Sequence, residues 1–303
     1  MAYETDTHFI HFYGRDSGQW IVSTGLTATE KKTGSLTDWV SRVFGADQIK
    51  PANYLVGSAV AGVWRPALYY QSEVLQALGN SENNQQTAEQ ALRLLVERLD
   101  ELLLYIEPDA NGLKAYSHKT RELLILACTE VENTWKHYMR LAGATPVTGG
   151  DLTTKDYARL VGPLFLSEFE ISLKPYGIVP PMRPFFGWNL AAPTRSLPWY
   201  DAYNKTKHDR STHFGEATLH NCLMAIAANL TLFCVRFSPF PLFQTAGTLA
   251  TLVNHLFQIQ LRDCDPATFY IPLLSLPSNI TPNLMCGQSK DWVQKWTTLP
   301  LRI

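Results

Sequence analysis

Residues 196–237, SLPWYDAYNKTKHDRSTHFGEATLHNCLMAIAANLTLFCVRF, decide how this chain is organised. The segment opens with proline and aromatic residues, continues through a dense polar run, and ends in a long apolar stretch whose spacing predicts a helix. The most apolar part, residues 222–235, contains Asn229 and Thr231 and is shorter than the roughly 18 residues of a membrane span. We therefore expect a buried core helix, with the polar candidate residues before its start, and no membrane association.

Two more long helices are predicted upstream of this segment. Thr87 and Gln90 form a capping-box pattern, and apolar residues then recur every three or four positions as far as Ile106. A second helical pattern begins after Ser117 and stops at Gly143. Long helices joined by a short connection pack antiparallel, so we expect a helical bundle.

Composition divides the chain around this bundle. The polar stretch NSENNQQ, residues 80–86, has no apolar pattern and predicts a boundary near residue 84. We therefore assign residues 1–84 to a small α+β portion that contains a hairpin and one short helix. Residues 85–237 form the helical domain, and residues 238–303 form an irregular extension packed on the bundle. The predicted fold class is mainly α.

An aromatic loop rich in proline occupies residues 174–198, where proline excludes a helix. Its tryptophans, Trp188 and the following Trp199, stand near Arg183 and Arg195. Such rings can stack on a nucleotide base, and they can equally cover the core. Covering the core is the simpler interpretation for the loop as a whole.

Charge and cysteine content exclude several classes of protein. The net charge is −1 and the isoelectric point is about 6.7, so a polyanion contact must be confined to a local patch. The N-terminus lacks the basic start and apolar run of a signal peptide, which favours a cytoplasmic protein. Five cysteines without a Cys-x-x-Cys spacing indicate reduced thiols, with neither disulfides nor a zinc site.

The polar run of the first segment is the candidate site. Asn204, Lys205, Lys207, His208 and Arg210 fall within seven consecutive residues, which we expect at the start of a helix or of a helical pair. Asn204 and His208 are four positions apart and therefore share a helix face. Histidine acts as a general acid or base near neutral pH, and Lys205 and Arg210 stabilise charge at phosphorus. These residue types fit RNA cleavage through the 2′-hydroxyl without metal or cofactor.

A second basic cluster begins the other long helix. His118, Lys119 and Arg121 would complete an anion site if the two helix starts lie together. The predicted binding residues also include Tyr203, Lys207 and Trp199. The acidic partner of the site is predicted to be Glu130, because Glu132 has a closer partner in Lys136 on its own helix.

Two other interpretations of the cluster stay open at this point. The polar residues can be a solvated surface around one structural histidine. Alternatively, a continuous helix would align Asp209, His213, Glu216 and His220 as a metal-binding stripe. Gly215 and a new helix cap at Ser211 argue against that continuity, so no metal is predicted.

The segment aromatic-Tyr-Asn-x-x-Lys-His after two long helices resembles the HEPN superfamily (higher eukaryotes and prokaryotes nucleotide-binding), in its bacterial branch, over residues 85–237. The resemblance implies a dimeric, metal-independent endoribonuclease with a role in antiviral defence or a toxin-like stress response, and its site near the homodimer interface. Asn204 matches the family's polar position and His208 its histidine, whereas Tyr203 stands at the family's arginine. The first hypothesis is therefore an RNA- or nucleotide-binding protein, either with or without RNA cleavage. The alternative is a non-catalytic interaction module whose polar cluster is structural.

Overall fold

The computed structural model describes residues 1–12, 26–243, 247–275, 285–286 and 293–303, and it is mainly α-helical with smaller sheets. The helices are α1 (Leu36–Phe44), α2 (Gln71–Leu78), α3 (Glu82–Leu103), α4 (His118–Leu141), α5 (Thr154–Tyr157), α6 (Pro198–His208), α7 (Arg210–His213), α8 (Leu219–Phe237) and α9 (Thr248–Leu256). The strands are β1 (Ala2–Glu4), β2 (His8–Phe12), β3 (Leu26–Lys31), β4 (Ser58–Val60), β5 (Phe169–Leu173), β6 (Phe257–Leu261), β7 (Met285–Cys286) and β8 (Thr297–Leu299).

The apolar helix α8 is the centre of the bundle, as its sequence predicts. Nearly all of its residues are buried, and it runs parallel to α4. Cys222 Sγ contacts the carbonyl of Thr120 at 3.1 Å, and Asn229 Nδ2 donates to the carbonyl of Ala127 at 2.9 Å. The two contacts are seven positions apart on each helix, so α4 and α8 run in the same direction. Among the described residues, only α8 is long and apolar enough to span a bilayer, and 78% of that apolar window is buried inside the protein. A core helix of a soluble protein has this character.

Helices α3 and α4 form the predicted antiparallel pair. Ion pairs link Arg98 with Glu122 and Glu101 with Lys119, so the end of α3 lies beside the start of α4. The start of α3 differs from the prediction, because Ser81 accepts a hydrogen bond from the amide of Asn84 and caps the helix several residues before Thr87. The polar stretch thus forms the first helical turn, where Ser81 supplies a partner for an otherwise unpaired amide.

Small sheets flank the bundle. The order β1-β2-β3-β7 is antiparallel throughout, β4 pairs with β8 in parallel, and β5 pairs with β6 in antiparallel fashion. The first strand of the predicted hairpin is confirmed as β2, whereas the second run, within residues 13–25, lies outside the described residues. The short helix predicted within residues 1–84, from Ser35 to Phe44, is confirmed as α1, with Ser35 as its cap. One apolar core extends from Ala59 to Leu301, and the domain division at residue 84 stays a prediction.

The aromatic loop covers the core. The ring of Trp188 stacks on Trp135 with centroids 4.8 Å apart, and its indole nitrogen donates to the carbonyl of Pro193 at 2.7 Å. Trp199 is 1% exposed and donates to the carbonyl of Pro184 at 2.9 Å. The prediction of Trp199 as a ligand contact is therefore corrected, because its ring has no face open to solvent.

Candidate functional site

The polar run spans the end of α6 and the first residue of the short helix α7, so it does not lie at the start of one long helix. The α-helix begins at Pro198, whose fixed backbone suits the first helical position, and ends at His208. Asp209 then has φ −137° and ψ 83°, which interrupts the helix. Its side chain accepts a hydrogen bond from the amide of Thr212 at 3.1 Å and starts the short helix α7. Asp209, rather than Ser211, is thus the cap.

Two contacts hold α6 antiparallel against α4. The guanidinium of Arg121 donates to the carbonyl of Thr206 through Nη2 at 3.0 Å. This carbonyl lies in the last turn of α6, where no helical amide is available, so Arg121 supplies the missing donor. At the other end, the phenol of Tyr200 donates to Glu132 Oε1 at 2.7 Å. The end of α6 is therefore fixed beside the start of α4.

The start of α8 lies beside the start of α4. The amide of Leu219 donates to the carbonyl of Ala115 at 2.9 Å, and Tyr116 forms a β-bridge with Thr218. Because α4 and α8 are parallel, the positive ends of both helix dipoles meet at this end of the bundle. Two helix starts do lie together, as the sequence analysis required for an anion site, but the second start belongs to α8 and not to the polar run.

Four predicted residues meet at this end and form what we call the basic corner, namely His118, Arg121, His208 and Arg210. Arg210 Nη2 lies 3.3 Å from His118 Nδ1. Both side chains are exposed, and both lie against the ring of Phe214, whose centroid is 5.5 Å from the guanidinium carbon and 4.9 Å from the imidazole centroid. Within the described part of the chain, neither Arg210 nor His118 forms an ion pair with a carboxylate.

His208 is exposed at the end of α6, two residues from the carbonyl that Arg121 holds and two residues from Arg210. Its imidazole makes no hydrogen bond or ion pair with any described residue. Asn204 lies one turn earlier on the same face, is half-buried, and likewise has no side-chain partner among the residues described. Both side chains are therefore available to a ligand.

The predicted lysines are already engaged. Lys205 Nζ lies 2.9 Å from Asp201 Oδ2 and 3.3 Å from Glu216 Oε2. These two carboxylates raise the pKa of Lys205, with the hydrogen bond to Asp201 as the largest cause. Lys119 is paired with Glu101 in the same way. The role of Lys205 in stabilising charge on phosphorus stays a prediction, and two carboxylates already pair with its ammonium.

Tyr203 and Lys207 form a closed pair on the opposite side of α6. Lys207 Nζ donates to Tyr203 Oη at 2.8 Å and lies 5.0 Å from the centroid of its ring. This hydrogen bond is the main reason why the pKa of Lys207 is raised. Tyr203, which the HEPN resemblance aligns with the family's arginine, is 1% exposed, so its ring faces the core and is closed to a ligand.

The acidic partner of α6 is Glu132 and not Glu130. Glu130 follows Arg121 by more than two helical turns, which places it about 13 Å further along α4. It lines a cleft with Asn229 and Arg236 instead. Glu132 accepts the hydrogen bond from Tyr200, and burial together with this bond raises the pKa of the Tyr200 phenol. The prediction of Glu130 is corrected, since packing turns the other glutamate towards α6.

The alternative metal stripe is interrupted. Asp209, His213, Glu216 and His220 are distributed over α7, a turn and the start of α8 instead of one helix. His213 Nδ1 pairs with Glu216 Oε1 at 2.8 Å. In the described ranges, no group of three or more histidine, cysteine, aspartate or glutamate side chains is arranged to hold a metal ion. The absence of a metal or cofactor stays a prediction.

Comparison of the chain with protein-family models, with curated proteins and with solved structures gave no match. The HEPN resemblance and its implications for activity, partners and location therefore stay predictions. The sequence could not predict the contact between His118 and Arg210, because the two residues are 92 positions apart. The available signal was the presence of two basic clusters, each at a predicted helix end.

Proposed function

We propose that this chain is a HEPN-like protein that binds RNA or a nucleotide through a phosphate at the basic corner. The observation that carries the proposal is the contact of Arg210 with His118, two exposed side chains without an acidic partner among the described residues. The planar guanidinium prefers an oxyanion that presents two acceptor oxygens, such as phosphate. An anion bound there would also gain from the paired starts of α4 and α8.

Aromatic rings beside the corner favour a nucleic acid over inorganic phosphate. Tyr116 is 54% exposed, and its ring packs edge-on against Phe214 at 5.5 Å between centroids. Phe214 also contacts His118 and Arg210. An exposed ring next to a cationic group can stack a base while the cation holds the adjacent phosphate. Single-stranded RNA presents unstacked bases beside its phosphates.

The same residues support metal-independent cleavage. His208 accepts the proton of a 2′-hydroxyl, the 2′-oxygen attacks phosphorus, and the bond from phosphorus to the 5′-oxygen breaks. His118 returns a proton to the 5′-oxygen, so the products are a 2′,3′-cyclic phosphate and a 5′-hydroxyl. Asn204 orients the imidazole or the phosphate, and Arg210 stabilises the charge on phosphorus. A cytoplasmic homodimer acting in bacterial defence or stress response belongs to the same proposal.

A non-catalytic interaction module is the second candidate, and one observation favours it. Arg121, Lys205 and Lys207 all have partners inside the protein, and these contacts hold the end of α6 in place. In that case the polar run serves the packing of α6 against α4 and α8. The two candidates differ in what His208 does, because the imidazole itself has no structural partner within the described residues.

The test is incubation of labelled single-stranded RNA with purified protein in EDTA, using wild type, His208→Ala and a matched control. His255→Ala is the control, because His255 is also exposed and also lies in the last turn of a helix, α9. We expect wild type and His255→Ala to bind RNA and release a cyclic phosphate end, and His208→Ala to lose cleavage with an unchanged melting temperature. Absence of both binding and cleavage in wild type would support the interaction module. A large fall in the melting temperature of His208→Ala would do so as well.

A further inference from the structure

A cavity lies away from the basic corner and has no role in the function proposed above. It has a volume of about 450 Å³ and opens between residues 53–54, residues 163–165 and residues 299–302, beside the parallel strands β4 and β8. Its walls are mostly apolar or aromatic, with Asn53 and Arg302 as polar exceptions. This size and this lining are typical of small-molecule sites, which measure roughly 300–1,000 Å³. We call it the Phe165 pocket.

Phe165 adopts a backbone conformation that a bulky side chain rarely takes. Its φ is +53° and its ψ is 34°, in the left-handed region. Two backbone hydrogen bonds hold this turn, from the amide of Phe165 to Gly162 at 3.0 Å and from Leu166 to Val161 at 3.1 Å. Strain of this kind persists where the surroundings fix it, and it is common at ligand sites. The conformation places the Phe165 ring in the pocket wall.

A buried cation supports this ring from behind. The guanidinium carbon of Arg65 lies 3.9 Å from the centroid of Phe165, and Arg65 is 1% exposed. Arg65 is itself fixed by an ion pair with Glu168 at 2.6 Å and by a hydrogen bond to Thr268. The aromatic wall of the pocket is thus anchored to a buried polar cluster and is formed before any ligand arrives. Preorganisation of this kind lowers the entropic cost of binding.

The polar groups of the pocket have no partners inside the described protein. The ring of Tyr54 is held edge-on against Tyr270 at 5.1 Å, but its hydroxyl makes no hydrogen bond there. The side-chain amide of Asn53 and the guanidinium of Arg302 are likewise without partners in the described ranges. The cavity is thus lined by a guanidinium, a phenol and an amide beside rings, prolines and aliphatic side chains. Asn53 and Arg302 are exposed to solvent.

We propose that the Phe165 pocket binds a small planar aromatic carboxylate. Phe165, Tyr54 and Pro163 offer flat apolar surface to an aromatic ring, which prefers stacked or edge-on contact with such groups. Arg302 pairs with the carboxylate through two parallel hydrogen bonds, the geometry that a guanidinium favours. The hydroxyl of Tyr54 or the amide of Asn53 completes the hydrogen bonding. This ligand site is independent of RNA binding at the basic corner.

The experiment uses 2-naphthoate as the probe and 2-naphthamide as its neutral analogue, followed by calorimetry and saturation-transfer NMR on the full chain. We expect wild type to bind the carboxylate more tightly than the amide. Arg302→Gln should reduce affinity for 2-naphthoate about tenfold and leave affinity for 2-naphthamide unchanged. Tyr54→Phe should weaken both probes by about threefold. Arg195→Gln is the matched control, because Arg195 is exposed and does not line the pocket.

Three results would overturn the proposal. One is the absence of binding of either probe at millimolar concentration. Another is an equal effect of Arg302→Gln and Arg195→Gln on 2-naphthoate. The third is binding without Overhauser contacts between the probe and the rings of Tyr54 or Phe165. Melting curves of each variant ensure that a loss of affinity reports on the pocket, and Tyr54→Phe provides the test if Arg302→Gln alters the fold.

Discussion

Arg210 Nη2 lies 3.3 Å from His118 Nδ1 and connects α7 to the first turn of α4 across 92 positions of the chain. The same guanidinium nitrogen lies 3.5 Å from His118 Nε2, so it is close to both nitrogens of the imidazole ring. The contact assembles the end of α6 and the starts of α4 and α8 into one exposed corner. Phosphate recognition at this corner is the basis of the predictions on RNA.

Replacing Arg210 tests the contact directly. Arg210→Gln should lower RNA affinity about tenfold at low salt and reduce the slope of log affinity against log salt by about one, because one phosphate contact is lost. The measurement is fluorescence anisotropy with labelled single-stranded RNA at several salt concentrations. Arg195→Gln, at an exposed arginine outside the corner, should leave both quantities unchanged. An equal loss for the two variants would mean that only general charge matters.

Lys205 should contribute little to RNA binding, although it lies within the polar run. Its ammonium is paired with Asp201 and Glu216, so Lys205→Met removes a charge that is already neutralised. We expect the affinity to fall by less than about threefold, and the added substitution Glu216→Gln to restore it. A tenfold loss for Lys205→Met, measured in the same anisotropy assay, would place the phosphate beside Lys205 instead of Arg210.

The hydrogen bond from Tyr200 to Glu132 should stabilise the packing of α6 on α4 without affecting RNA. Tyr200→Phe leaves a half-buried carboxylate without its donor, so the free energy of unfolding should fall by about 1–3 kcal/mol. Glu130→Gln, on the same helix but away from α6, should change it by less than about 0.5 kcal/mol. Urea denaturation measures both. Equal effects would contradict the assignment of Glu132 as the partner of α6.

Stability should depend on pH through Glu73. Burial raises the pKa of this carboxyl from its usual value to about 7. The nearby indole of Trp296 acts in the opposite direction and limits this rise in pKa. Neither the indole nitrogen nor Glu73 Oε1 has a hydrogen-bond partner among the described residues. Between the unfolded pKa of 4.5 and the folded pKa of about 7, the folded state binds more protons than the unfolded state. The contribution of Glu73 is therefore fully present below pH 4.5 and is lost as the pH rises through 7.

Glu73→Gln should remove this dependence. The variant should be more stable than wild type at pH 8, by on the order of 1–2 kcal/mol once the partial exposure of the carboxylate is allowed for. Near pH 4.5 the difference should shrink towards zero. Urea denaturation of both proteins at pH 4.5, 6 and 8 measures this difference in stability. Parallel stability curves for the two proteins would show that Glu73 keeps an ordinary pKa.

The long helices were predictable because their signals are local. Apolar spacing and caps within α3, α4 and α8 report which face is buried, and no distant residue is needed to recognise them. The end of α6 was not predictable in the same way. Its termination depends on Asp209 turning back to the amide of Thr212 and on Arg121, a residue of another helix, holding the carbonyl of Thr206.

The candidate site was predictable only in residue type. His208, Asn204 and Arg210 were found because polar residues cluster in the sequence. The choice between Glu130 and Glu132 depends on the rotation of α4, which packing fixes and the sequence does not. The burial of Tyr203 and Trp199 follows from contacts with α4 and with the aromatic loop, so the sequence could place them beside the site without showing that they face the core.

The most direct measurement is the set of histidine Cε1–H resonances in an NMR titration with a 2′-deoxy-substituted dinucleotide, which binds without being cleaved. Phosphate at the basic corner should shift the resonances of His118 and His208, and Arg210→Gln should abolish these shifts. The resonance of His255, exposed at the end of α9, should stay in place. If the dinucleotide shifts none of the three, or shifts His255 as much as His208, the basic corner is not a nucleotide site.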